Sequence, residues 1–213
     1  MGFGYKTEWI AVPGATVEQV AHALGLERPQ IVPWDEGVTK AYTSGVFVGG
    51  PADGFVLAHG RELGDWLVAT TAEFPEMLER LSSALGEVQF FSSYRTSSCY
   101  AWAMAREGTM VRGFALADGD TPLHLGPVTA IERDLRVGIP LEQIDWDSSE
   151  TVKPGEETVL QIAASWGVNP IDLVLATHEL YSKDMMLTER AVDPKAQLRA
   201  RARAALETLR ERH

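Results

Sequence analysis

A chain of 213 residues with 45% hydrophobic and 23% charged residues buries a core of its own, which excludes a disordered protein. Its formal net charge of −11 repels phosphate backbones and argues against general nucleic-acid binding. The single cysteine, Cys99, excludes an internal disulfide and the paired-cysteine zinc and iron–sulfur frameworks.

No apolar run approaches the ~20 residues needed to span a bilayer. The start, Met1 to Glu8, lacks a basic segment followed by an apolar one, and Lys6 stands where a myristoylation motif wants Ser or Thr. A lone cysteine fits a reducing compartment. The expectation is a cytoplasmic protein with no membrane partner. The charge is uneven. Residues 191–213 hold six Lys or Arg against three acids, net +3, which leaves −14 on residues 1–190.

Thr7 to Val12 reads as a strand stopped by Pro13-Gly14. A helix follows, with Thr16 and Gln19 as a capping box, Val17, Val20, Ala21 and Leu24 as its apolar stripe, and Gly25 at its end. Val46–Val48 and Phe55–Ala58 read as strands around the turn cluster Gly49 to Gly54. Phe74, Met77, Leu78, Leu81 and Leu85 fall at helical spacing, with Pro75 in the first turn and Gly86 just past the end.

Three strands then make the centre: Val88–Tyr94, Cys99–Arg106 and Thr109–Ala117, the last two joined by Glu107-Gly108. Pairing Arg106 with Thr109 places Met104 opposite Val111, Trp102 opposite Gly113 and Tyr100 opposite Ala115. In that register Trp102 covers a strand glycine. Both faces of the hairpin are largely apolar, so it is expected to be covered on both sides, at least in part. Residues 118–155 read as loops and short strands. Beyond them come a helix carrying Val159, Ile162, Ala163 and Trp166, a second started by Asn169-Pro170, and a last one started by Asp193-Pro194 with Leu198, Ala202, Ala205, Leu206 and Leu209 as its stripe.

The chemistry-bearing residues form no local signature. The five histidines make no metal-binding spacing. No phosphate-binding glycine loop and no G-x-S-x-G elbow occurs. Asp145 and Asp147 flank Trp146 without a partner base, and Met185-Met186 read as core filling. The run Ser92 to Cys99 is rich in hydroxyls and holds the only thiol. A nucleophile there needs a base beside it, and nothing in the sequence brings His59 or His124 near, so a polar turn is the simpler reading. No catalytic residue, metal or cofactor is assigned. Tyr94, Arg95, Tyr100 and Trp102 are the candidate partner- or ligand-binding residues.

The runs Val46-Phe47-Val48, Asp53-Gly54-Phe55-Val56-Leu57, Gly86-Glu87-Val88-Gln89-Phe90-Phe91, Tyr100-Ala101-Trp102-Ala103, Val111-Arg112 and Ala163 to Pro170 together resemble a group of bacterial single-domain α+β proteins with no assigned activity. The resemblance spans residues 45–175. It implies a compact bacterial domain and carries over no functional residue.

The sequence therefore leads to one α+β domain over residues 1–213: an antiparallel sheet with a central hairpin, packed by several amphipathic helices, with 156–213 a helical part docked on the sheet. The expected function is a non-enzymatic binding protein of the bacterial cytoplasm, toxin-neutralising in the manner of an immunity protein. It would act as a monomer or homodimer, with a basic protein as partner. The alternative is an enzyme or small-molecule binder whose pocket is assembled from distant residues.

Overall fold

The computed structural model describes residues 2–27, 29–64, 68–140, 143 and 152–173, together with the backbone of strand 179–183. Among these residues nine strands form one antiparallel sheet. They are β1 (Thr7–Pro13), β2 (Pro29–Pro33), β3 (Val46–Ala52), β4 (Phe55–His59), β5 (Glu87–Tyr94), β6 (Cys99–Arg106), β7 (Thr109–Ala117), β8 (Asp120–Leu125) and β9 (Glu179–Lys183). Their spatial order is β2-β9-β3-β4-β1-β5-β6-β7-β8. The middle strand is β1, and the β6–β7 hairpin lies to one side of it. Five helices accompany the sheet: α1 (Val17–Ala23), α2 (Trp34–Ala41), α3 (Phe74–Leu85), α4 (Ala130–Leu135) and α5 (Glu156–Trp166). None of the described helices is long and apolar enough to cross a membrane.

The sheet is apolar on both faces because its strands carry apolar residues at odd and even positions alike. Along β1, Trp9 and Ala11 point into one core and Ile10 and Val12 into the other. The first core is closed by Trp34, Val38 and Ala41 of α2, by Val159, Ile162 and Ala163 of α5, and by Ile131 and Leu135 of α4. The second is closed by Val17 and Val20 of α1 and by Phe74, Leu78 and Leu81 of α3. Thr16 and Gln19 form the capping box of α1. Pro75 sits in the first turn of α3, and Gly86 ends that helix at φ 84°.

The register of the β6–β7 hairpin differs from the one its turn suggests. Arg106 does pair with Thr109 across Glu107-Gly108, but a bulge follows, so that Ala105 faces Met110 while Met104 faces Arg112. One extra residue, Val111, shifts every later pair by one and turns each side chain of β7 to the opposite face. Trp102 consequently faces Phe114 rather than Gly113, with ring centroids 4.6 Å apart, and Tyr100 faces Leu116 rather than Ala115. The same shift brings Arg112 onto the Trp102 side.

Other elements were hidden in the sequence. The helix α2 contains Gly37, a poor helix former. A Cβ there would lie 2.3 Å from the Phe47 ring, so the glycine lets α2 sit close on β3. In the segment expected to hold loops and short strands, Thr129 and Glu132 form the capping box of α4. After α5, Asn169 Oδ1 accepts from the Ile171 amide at 3.1 Å, and residues 170–172 are a turn and bend rather than an α-helix. Residues 179–183 pair as a strand between β2 and β3, where the sequence suggests a helical C-terminal part. The expected helix at 193–213, Met185-Met186, and Asp145 with Asp147 lie outside the described residues.

Both sheet edges carry proline, Pro29 and Pro33 in β2 and Pro122 in β8. Proline lacks the donor that a further strand would use, which blunts both edges against pairing with another chain.

Candidate functional site

Two adjacent rows of side chains cross the sheet at the end where β1 begins, β5 ends and β6 begins. Glu8, Ser92, Ala101 and Ala115 stand opposite one another on β1, β5, β6 and β7, and the next row is Thr7, Ser93, Tyr100 and Leu116. Neighbouring rows point to opposite faces. The hydroxyl-rich turn Arg95 to Ser98 closes this end of the sheet, with Ser98 at φ 50°. Both faces of one sheet end therefore carry polar groups beside apolar core.

On the α1/α3 face the first row opens into a cleft of about 190 Å³. Phe90, Ala101, Ala115, Val68 and Ala69 supply apolar lining, and Glu8, Ser92, Tyr94, Ser97, Thr70 and Cys99 supply polar groups. Tyr94 Oη donates to Glu8 Oε2 at 2.6 Å. A Cβ at Gly64 would lie 2.4 Å from Glu8 Oε2, so glycine there leaves room for the carboxylate. Cys99 pairs across the strands with Tyr94 and donates its thiol to the Ser97 carbonyl at 3.3 Å.

On the other face the second row meets the start of α5. Ser93 Oγ donates to Glu156 Oε1 at 3.4 Å, and Arg95 Nε lies 3.8 Å from Glu156 Oε2. Tyr5 Oη donates to Glu157 Oε1 at 2.6 Å, and that bond, ahead of burial and carboxylate charge, pushes the phenol pKa up to about 12. Burial first, and then the charge of Glu156, raises the pKa of Tyr100.

The four sequence candidates thus stand in four different environments. Tyr94 lines the cleft, and Arg95 is an exposed residue beside Glu156. Tyr100 is mostly buried between the two, its ring on the α5 face although the residue also borders the cleft. Trp102 is wholly buried, and its Nε1–H donates to Glu132 Oε1 at 2.7 Å; its side chain belongs to the core rather than to an exposed surface. Sequence reasoning missed Glu8, Tyr5, Glu156 and Glu157. The one available signal was Glu8, a charged residue within an otherwise apolar strand.

Neither His59 nor His124 completes a nucleophilic site with Cys99. His59 and His124 stand on the face opposite to Cys99, His59 beside Trp9 across the ladder and His124 beside Phe114. His59 is fully buried, stacked 4.1 Å from the Phe3 ring with Tyr42 and Phe47 at its edges, and its Nδ1 lies 3.4 Å from Thr7 Oγ1. Burial lowers its pKa to about 3, against the opposing influence of the Val38 backbone, so the ring is neutral at physiological pH. Among the described residues no group of three or more His, Cys, Asp or Glu side chains is placed to hold a metal ion.

No protein-family model matches the chain, and no curated protein or solved structure matches it significantly.

Proposed function

We propose that this is a non-enzymatic binding protein that holds a basic protein partner at the β5–β6 end of its sheet. The observation that carries the reading is the gathering there of three carboxylates, Glu8, Glu156 and Glu157, two of them tied to tyrosines. Tyrosine gives an interface large, rigid contact area with a polar tip, and carboxylates on a chain of net charge −11 steer a basic partner toward it. The size of the cleft also favours a partner's side chain over a metabolite. At about 190 Å³ it falls below the ~300–1,000 Å³ typical of small-molecule sites. The proline-bearing edges disfavour the other common mode, strand addition. A cytoplasmic protein that neutralises a basic toxin would be a binder of this kind.

Affinity capture with the full chain at low salt, followed by purification of the captured protein and calorimetric titration, tests the reading. The expected partner is basic, its affinity falls as ionic strength rises, and Glu156→Gln with Glu157→Gln weakens it. A partner whose affinity is unchanged by salt and by both substitutions would contradict the proposal.

A further inference from the structure

We propose that the cleft beside Ser92 receives one tyrosine side chain of the partner. The proposal rests on the reading of the protein as a binder of a basic partner, and it assigns the uncharged anchor of that contact.

The sequence makes the cleft by setting two alanines side by side. Ala101 of β6 and Ala115 of β7 stand opposite each other and leave a recessed floor, walled by Phe90, Val68 and Ala69. The volume is about 190 Å³. An apolar cavity of about 150 Å³ holds benzene, so the space suits a single ring. Ser92 supplies the polar demand. It is only 8% exposed, it lines the cleft, and its hydroxyl makes no hydrogen bond to another described residue. A hydroxyl can both donate and accept, and an apolar group packed over it would leave it desolvated and unpaired, which costs free energy. A phenol carries a donor and an acceptor on a ring of the right size. The other polar groups of the cleft need nothing from the occupant. Tyr94 donates to Glu8, and the Cys99 thiol donates to the Ser97 carbonyl. Tyrosine also gives an interface rigid contact area at a small loss of conformational entropy. The partner's positive charge is met outside the cleft by Glu156 and Glu157, so steering and anchoring fall to different groups.

The experiment follows amide chemical shifts of the full chain as p-cresol, the tyrosine side chain by itself, is added. Toluene, which keeps the ring and lacks the hydroxyl, is the control. Saturable shifts are expected at Ala69, Ser92, Ala101 and Ala115. Ser92→Ala should weaken p-cresol by about three- to tenfold, the worth of one uncharged hydrogen bond, and leave toluene unchanged. The same substitution should weaken the captured partner by a similar factor. Shifts confined to other residues, no shifts at all, or a Ser92→Ala variant that treats p-cresol as the parent protein does overturns the proposal. So does a variant that weakens p-cresol and toluene equally. If p-cresol behaves as expected and the partner is captured in a salt-dependent way, yet Ser92→Ala leaves that partner's affinity unchanged, the cleft takes a free phenol. The tyrosine anchor is then wrong while the wider reading survives. If the captured partner is indifferent to salt and to the substitutions at Glu156 and Glu157, the wider reading fails on its own terms.

Discussion

Arg112 and Glu132 form a fully buried ion pair that ties α4 and its flanking loops to the sheet. The guanidinium donates from Nη2 to Glu132 Oε1 at 2.6 Å and from Nε to both carboxylate oxygens at 2.9 and 3.0 Å. Its remaining donors reach the carbonyls of Gly113, Leu125, Gly126 and Gly138. Glu132 accepts in addition from Trp102 Nε1 and from the backbone and hydroxyl of Thr129. Burial alone would raise the Glu132 pKa, but the bonds from Arg112 and Thr129 prevail and hold it below its ordinary value.

The clamp is therefore expected to be costly to break from one side and cheap to remove whole. Glu132→Gln leaves a buried charge without its counter-ion and should destabilise the fold by about 3–5 kcal/mol. Replacing both residues by apolar ones, Arg112→Met with Glu132→Leu, should cost much less than that single change. Urea melts of the parent protein and the two variants measure this. A double variant as unstable as the single one would show that the carbonyl contacts, not the charge pair, dominate.

Trp102 combines two contributions that substitution separates. Trp102→Ala removes a side chain buried against Phe114 and should cost about 3–5 kcal/mol. Trp102→Phe keeps most of the stacking but removes the donor to a charged carboxylate, for about 1.5–3 kcal/mol. Equal stability of the Phe variant and the parent protein in denaturant melts would show that the hydrogen bond contributes nothing net.

Gly37 sets two effects against each other. Alanine is the better helix former by roughly 1 kcal/mol, yet its Cβ would stand 2.3 Å from the buried Phe47 ring. Overpacking costs about 1–3 kcal/mol, so Gly37→Ala should be net destabilising, with a lower thermal midpoint. A raised midpoint would show that α2 moves away from β3 without penalty.

His59 makes stability depend on pH. Its pKa is lowered from 6.5 to about 3 in the fold. As pH falls below 6.5 the unfolded chain takes up a proton and the folded chain does not, so stability is complete above that value and declines toward pH 3. A tenfold difference in proton affinity between the folded and unfolded chain is worth about 1.4 kcal/mol, which makes the decline several kcal/mol in size. Urea melts from pH 7 to pH 4 should show a steeper loss in the parent protein than in His59→Phe. Parallel curves would assign acid sensitivity to other groups.

Periodicity and punctuation carried much of this fold. The capping box at Thr16, the spacing from Phe74 to Leu85 and the Glu107-Gly108 turn each state a local preference that the tertiary structure keeps. What escaped was set by contacts distant in sequence. The bulge at Val111 is favoured by Arg112 reaching Glu132 twenty residues later, and no local pattern announces it. Gly37 reads as a helix breaker until Phe47 is placed beneath it. At the candidate site, the hydroxyl-rich run from Ser92 to Cys99 is legible as an unusual segment. The carboxylates that give it chemistry come from β1 and α5, which only the sheet register brings together.

Hydrogen–deuterium exchange of the full chain with and without its purified captured partner maps the surface that the partner covers, proposed above to be the β5–β6 end of the sheet. Slowed exchange is expected in residues 4–8, 68–70, 92–101 and 155–158, with little change in β2 and β8. Slowing confined to β2 or β8, with the β5–β6 end unaffected, would place the partner elsewhere and overturn the proposed binding surface.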